Sequence, residues 1–89
     1  MIKIGSLVQS SKGHDLGRIY VVTKFSQEFA FCVDGEYRML DNPKKKRIKH
    51  LKNLHIYFDD VEKLRDNKLY DFEIKTFISI HREKSFPSN

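Results

Sequence analysis

Apolar positions in this chain first fall in short runs rich in β-branched and aromatic residues, separated by glycine and polar turns, and then recur at helical spacing. Between Gly5 and Ser10 (G-S-L-V-Q-S), Leu7 and Val8 sit among small polar residues, which predicts a first short strand. Arg18 to Phe25 is rich in β-branched and aromatic residues and reads as a second strand. Ser26-Gln27 is a turn, and Glu28 to Val33 is a third strand in which Phe29, Phe31 and Val33 alternate against Ala30 and Cys32. Asp34-Gly35 then separates two β-like runs. That dipeptide predicts a two-residue type I′ hairpin, because both turn residues need positive φ. Glu36 to Leu40 becomes the fourth strand, Asn42-Pro43 breaks it, and His50 to Tyr57 holds a fifth around Leu51 and Leu54.

The period changes after Phe58. Asp59 and Asp60 can cap a short helix, Val61 to Arg65, with Val61 and Leu64 on one face. Asp71 can cap a second helix through about Arg82, where Ile74, Phe77, Ile78 and His81 fall on one face. The expected fold class is mainly β: a small, strongly bent barrel of four to five strands over residues 1–57, followed by two short C-terminal α-helices. A barrel this small buries little apolar area, so the helices (58–83) should pack on it with Phe72, Phe77 and Ile78 in the core. Residues 84–89 are expected to form a flexible tail.

Charge adds a location. The 89 residues carry 17 Lys and Arg against 12 Asp and Glu, a net charge of +5. Lys44, Lys45, Lys46, Arg47, Lys49 and Lys52 fall together with no acidic residue among them, so the excess is one local patch. Such a patch calls for an anionic partner, of which nucleic acid is the commonest, or else is a solvated lysine loop. Residues 59–73, by contrast, are net acidic. The single cysteine, Cys32, cannot form an intramolecular disulfide and suits a buried strand position. The N-terminus has no apolar signal core and no run approaches membrane-spanning length, so the expected setting is cytoplasmic, without membrane contact. An enzyme is not expected: His14, His50, His55 and His81 are scattered, with no Cys partner and no helical H-x-x-x-H pair; His50 and His55, five apart with Asp59 and Asp60 near, read as surface residues rather than a metal site; and no phosphate-binding or dinucleotide fingerprint appears. No cofactor is expected.

The stretch between the first two strands, S-S-K-G-H-D-L-G-R, places Gly13 and Gly17 four residues apart with Lys12 and Arg18 flanking them. Gly13 can supply a left-handed conformation, Gly17 can begin the second strand where a side chain would clash, and a loop without Cβ atoms lets a phosphate approach its N–H groups. The segment I-G-S-L-V-Q-S-S-K-G-H-D-L-G-R-I-Y-V-V resembles a KOW motif, the strand–loop–strand element of RNA-binding ribosomal and transcription-elongation proteins, with its glycine at Gly17. Val33-Asp34-Gly35, Arg38-Met39-Leu40, Asn42-Pro43-Lys44-Lys45-Lys46 and Lys49-His50-Leu51 extend the similarity to small bacterial KOW-domain proteins and, through them, to a group of archaeal and eukaryotic large-subunit ribosomal proteins. The similarity covers roughly residues 4–54. It implies an SH3-like barrel and RNA binding, associated with ribosomes or translation. His14 stands where such proteins often carry a basic residue, so the loop departs from the pattern there.

The expected mechanism is equilibrium binding. Lys12, Gly13, His14, Asp15, Gly17 and Arg18 of the loop, with Lys44, Lys45, Lys46, Arg47, Lys49, His50 and Lys52 of the basic stretch, form the candidate RNA contact. The lysines neutralise phosphates and release counterions, which positions the chain without reading bases. Tyr20 and Tyr37 are candidates for base stacking but are expected to be buried, while Arg38 could grip a phosphate or sit idle at the surface. The alternative is an SH3-like protein–protein docking module of the translation or transcription machinery, with ribosomal proteins among its partners.

Overall fold

The computed structural model describes residues 1–85. Five strands, β1 (Ser6–Ser10), β2 (Ile19–Phe25), β3 (Phe29–Val33), β4 (Lys44–Arg47) and β5 (Leu51–Tyr57), form one antiparallel sheet in the order β4-β3-β2-β1-β5. Two helices follow, α1 (Val61–Arg65) and α2 (Asp71–Ser85). The protein is thus mainly β with a helical C-terminal part. The last positions of the expected tail, 86–89, lie outside the described residues.

Each face of the sheet carries a buried cluster, and strand register decides which residue goes where. Leu7 pairs with Val21 and Val21 with Val33, so these side chains share one face. Leu64, Ile74, Phe77 and Ile78 of the helices cover that face. Val8 pairs with Tyr20 and Val22 with Cys32 on the other face, where Ile2, Ala30, Ile48 and Leu51 close the second cluster. Burial pushes the Cys32 thiol up to about 12.

The second cluster is enclosed because the sheet curls. Its two edges, β4 and β5, are joined only by the 3-10 turn Ile48–His50. Four strand spacings in a flat sheet span about 19 Å, whereas such a turn advances by only about 8 Å. The edges must therefore approach one another at this end, though no ladder joins them among the described residues. Register shifts between Ser6 and Val8 and between Val22 and Lys24 supply the local bends. In β5 the first of these coincides with His55 at φ 59, whose N–H donates to the Asn53 side chain 2.9 Å away.

The expected fourth strand does not form. Glu36–Leu40 belongs to a loop, and the strand that pairs with β3 is the basic run Lys44–Arg47. The reason lies in Asp34. Its Oδ1 accepts hydrogen bonds from the N–H groups of Glu36, Tyr37 and Arg38 at 2.8–2.9 Å. Those donors are thereby lost to a ladder, and an Asx-type loop replaces the type I′ hairpin. Only Gly35 (φ 77) takes a positive φ there.

Gly35 also meets α2. A Cβ at this position would collide with the carbonyl oxygen of Asp71 and lie 2.9 Å from the amide nitrogen of Lys75. The Asp71 carboxylate does not cap its own helix; it accepts from the Leu40 N–H at 2.6 Å and so ties α2 to this loop. Glu73 instead accepts from the N–H of Tyr70, the residue preceding the helix, as the second half of a capping box does. Asp60 caps α1 as expected, accepting from Lys63. Gly35→Ala is expected to destabilise the fold by about 2–3 kcal/mol, through the left-handed φ and the displaced helix, lowering Tm by roughly 10–20 °C in a thermal melt.

Phe72 is 66% exposed rather than core. It precedes Ile74 by two positions and so points to the opposite side of the helix. There it stacks on Tyr70, with ring centroids 5.7 Å apart. Phe77 and Ile78 are buried as expected. No helix among the described residues is long and apolar enough to cross a membrane.

Candidate nucleic-acid interface

The glycine loop is built around a buried ion pair. Asp15, 7% exposed, turns into the protein and meets Lys46, 8% exposed, at 2.8 Å. The carboxylate also accepts from Ser10 Oγ at 2.9 Å and Tyr20 Oη at 2.6 Å. Lys46 Nζ donates further to Ser10 Oγ (2.9 Å) and to the Lys12 carbonyl (3.1 Å), and Lys44 stands 3.8 Å from the other Asp15 oxygen. Burial by itself raises the pKa of Asp15, but the bonds from Lys46, Tyr20 and Ser10 outweigh it and hold the carboxyl well below the usual carboxylate range. Tyr20 is shifted the other way, upward, by burial and by its bond to Asp15. No buried side-chain nitrogen or oxygen among the described residues is left unpaired.

This network corrects the anticipated contact surface. Asp15 and Lys46 are structural, since both charges are spent on each other inside the fold. Tyr20 is fully buried and unable to stack on a base. Strand geometry parts the rest of the basic run, because successive side chains of β4 point to opposite faces. Lys44 and Lys46 face inward opposite Cys32 and Ala30. Lys45 and Arg47 face outward, with Lys45 Nζ 4.3 Å and Arg47 Cζ 5.0 Å from the ring centre of Phe29. Phe29 and Phe31 are therefore half-buried beneath cationic side chains, beyond the part of the sheet that the helices cover. Arg47 also lies 3.4 Å from the exposed Glu28.

The loop and the basic stretch are nevertheless contiguous. Lys46 bonds the Lys12 carbonyl, the Ser11 N–H donates to the His50 carbonyl at 2.9 Å, and Gln9 pairs with Lys52. Lys12, Lys49 and Lys52 are exposed along this junction. His50, between them, has its pKa lowered, first by partial desolvation and then by Lys12, Lys49 and the other cations nearby. Gly13 takes φ 96, the left-handed conformation expected of it. Gly17 takes φ 88, but a Cβ there would meet nothing within 4 Å. Its requirement is conformational and not the steric clash anticipated.

The loop's backbone is only partly used. Leu16, Gly17 and Arg18 donate to Gly13, Ser10 and Asp15 carbonyls respectively. Lys12, Gly13 and His14 are exposed residues, and their N–H groups donate to no acceptor among the described residues. Successive free N–H groups around a left-handed residue form a concavity suited to an anion.

Arg18 sits apart from these residues. Its guanidinium lies 4.1 Å from the ring centre of Tyr37, which is 65% exposed and not buried as expected. Sequence reasoning missed the Asp15–Lys46 pair and the Phe29 surface. The uniform charge of Lys44 to Arg47 carries no signal of which side chains turn inward. Comparison of the chain with protein-family models and with curated proteins finds no match to either.

Proposed function

We propose that this protein is an RNA-binding module of SH3-like, KOW-type architecture, associated with ribosomes or translation, that holds RNA by its backbone and performs no catalysis. The observation that carries this reading is the run of free N–H groups at Lys12, Gly13 and His14, placed beside the exposed Lys12, Lys49 and Lys52. Phosphate oxygens are acceptors only, so a bare-backbone concavity flanked by cations suits them. The Asp15–Lys46 pair supports the reading by fixing the loop from beneath, so that little ordering entropy is lost on binding. The curled sheet and the single turn joining its edges support the SH3-like assignment.

A docking module is the second reading, favoured by the exposed Tyr70–Phe72 stack at the start of α2. Salt separates the two. Four to six phosphate contacts give a log–log slope of affinity against salt of about −3 to −5 on a structured RNA, measured by fluorescence anisotropy. An affinity independent of salt, or no retention of RNA at low ionic strength, would sink the RNA reading.

A further inference from the structure

The glycine loop has a second side, away from Lys46. There it forms a cleft of about 230 Å³ with the Asp34–Arg38 loop and α2. Arg18, Asp34, Glu36, Tyr37, Lys75 and Ile78 are among its walls. The volume falls below the roughly 300–1,000 Å³ of sites for drug-sized molecules, so it suits a single ring system.

Two features say which ring system. The first is the Arg18 guanidinium 4.1 Å from the ring centre of the exposed Tyr37, which pairs the two side-chain types on which unpaired bases settle. The second is the distribution of acceptors. Glu36 is engaged by Lys75 at 3.5 Å. Asp34 uses Oδ1 for its own loop, whereas its Oδ2 accepts no hydrogen bond among the described residues. A carboxylate in a small cleft repels phosphate and favours a donor edge. Guanine offers adjacent N1–H and N2–H donors on its Watson–Crick edge. Phosphate, excluded from the interior, finds Arg82 exposed on the cleft's wall.

We propose that this cleft receives one unpaired nucleobase of the bound RNA, guanine in preference, stacked on the Tyr37–Arg18 pair and donating to Asp34. The proposal deepens the RNA reading and rests on it. The test uses the full chain and two probes. Isotopically labelled protein is titrated with 5′-GMP, with 5′-UMP as the comparison, by NMR. Anisotropy then compares an RNA hairpin carrying one bulged guanosine with the same hairpin fully paired. Saturable GMP shifts centred on Tyr37, Arg18 and Ile78, weaker with UMP, are expected, and the bulged hairpin should bind roughly tenfold more tightly than the paired one. Tyr37→Ala, at an exposed position that the core does not use, should bring the bulged hairpin down to the paired one; Tyr70→Ala, an exposed tyrosine that does not line the cleft, should keep the preference. Equal binding of both hairpins without GMP shifts at the cleft overturns this proposal and leaves the RNA reading standing. A preference that survives Tyr37→Ala overturns it too. GMP binding without any RNA binding overturns both, and makes the cleft a site for a free nucleotide.

Discussion

Asp15→Ala is expected to lower folding stability by about 3–5 kcal/mol, a large share of the roughly 5–15 kcal/mol that holds a small domain together. The substitution leaves the Lys46 ammonium buried without its counter-charge, and Ser10 and Tyr20 lose the carboxylate they donate to. It also frees the Lys12 carbonyl contact from its anchor, so the loop should loosen along with the fold. Removing both charges together is different. Asp15→Ala combined with Lys46→Met replaces a desolvated pair by apolar surface and should recover much of the loss. Urea denaturation checks this through the midpoints of the single and double variants. A single variant as stable as the wild type, or a double variant no better than the single, would overturn the structural role of the pair.

The pair also sets the acid limit. The Asp15 pKa in the folded protein is depressed below its unfolded value, near 3.9. Its contribution is therefore fully present above about pH 4–5 and is lost as pH falls from there towards the folded pKa. Part of the wild type's loss of stability below about pH 4 should be missing from the double variant.

Replacing Lys45, Arg47, Lys49 and Lys52 together by Gln is expected to weaken RNA binding about a hundredfold or more at low salt. The slope of log affinity against log salt should flatten by about 3–4. These four side chains are exposed, so the fold should survive. Lys46→Gln would be the wrong experiment, because it damages the loop from within and mimics a lost contact. Arg65→Gln with Lys68→Gln, exposed on the acidic C-terminal part, controls for net charge and should change affinity little. If the fourfold variant binds as the wild type does, the basic stretch has no part in binding.

The readable parts of this chain are those whose structure is set within a few residues. β1, β2, β3, β5 and α1 lie within two residues of their anticipated bounds, because β-branched runs, helical spacing and the Asp60 cap act locally; α2 begins next to its anticipated cap, but Asp71 anchors the Leu40 N–H instead of capping it. The left-handed Gly13 was readable for the same reason. Asp34-Gly35 misled because two local chemistries compete there, and the Asp side chain captured the backbone donors that a type I′ turn would have left to a ladder. Phe72 misled because apolarity was weighed without its helical phase.

Local chemistry thus sufficed for β1, β2, β3, β5, the two helices and the left-handed Gly13, since each depends on neighbours in the chain. Assembly alone made Lys44–Arg47 a strand and turned Lys46 from a surface cation into a buried one. A desolvated ammonium is tolerated only beside an opposite charge, and the carboxylate that supplies it lies 31 residues earlier, a separation that leaves no trace in either segment.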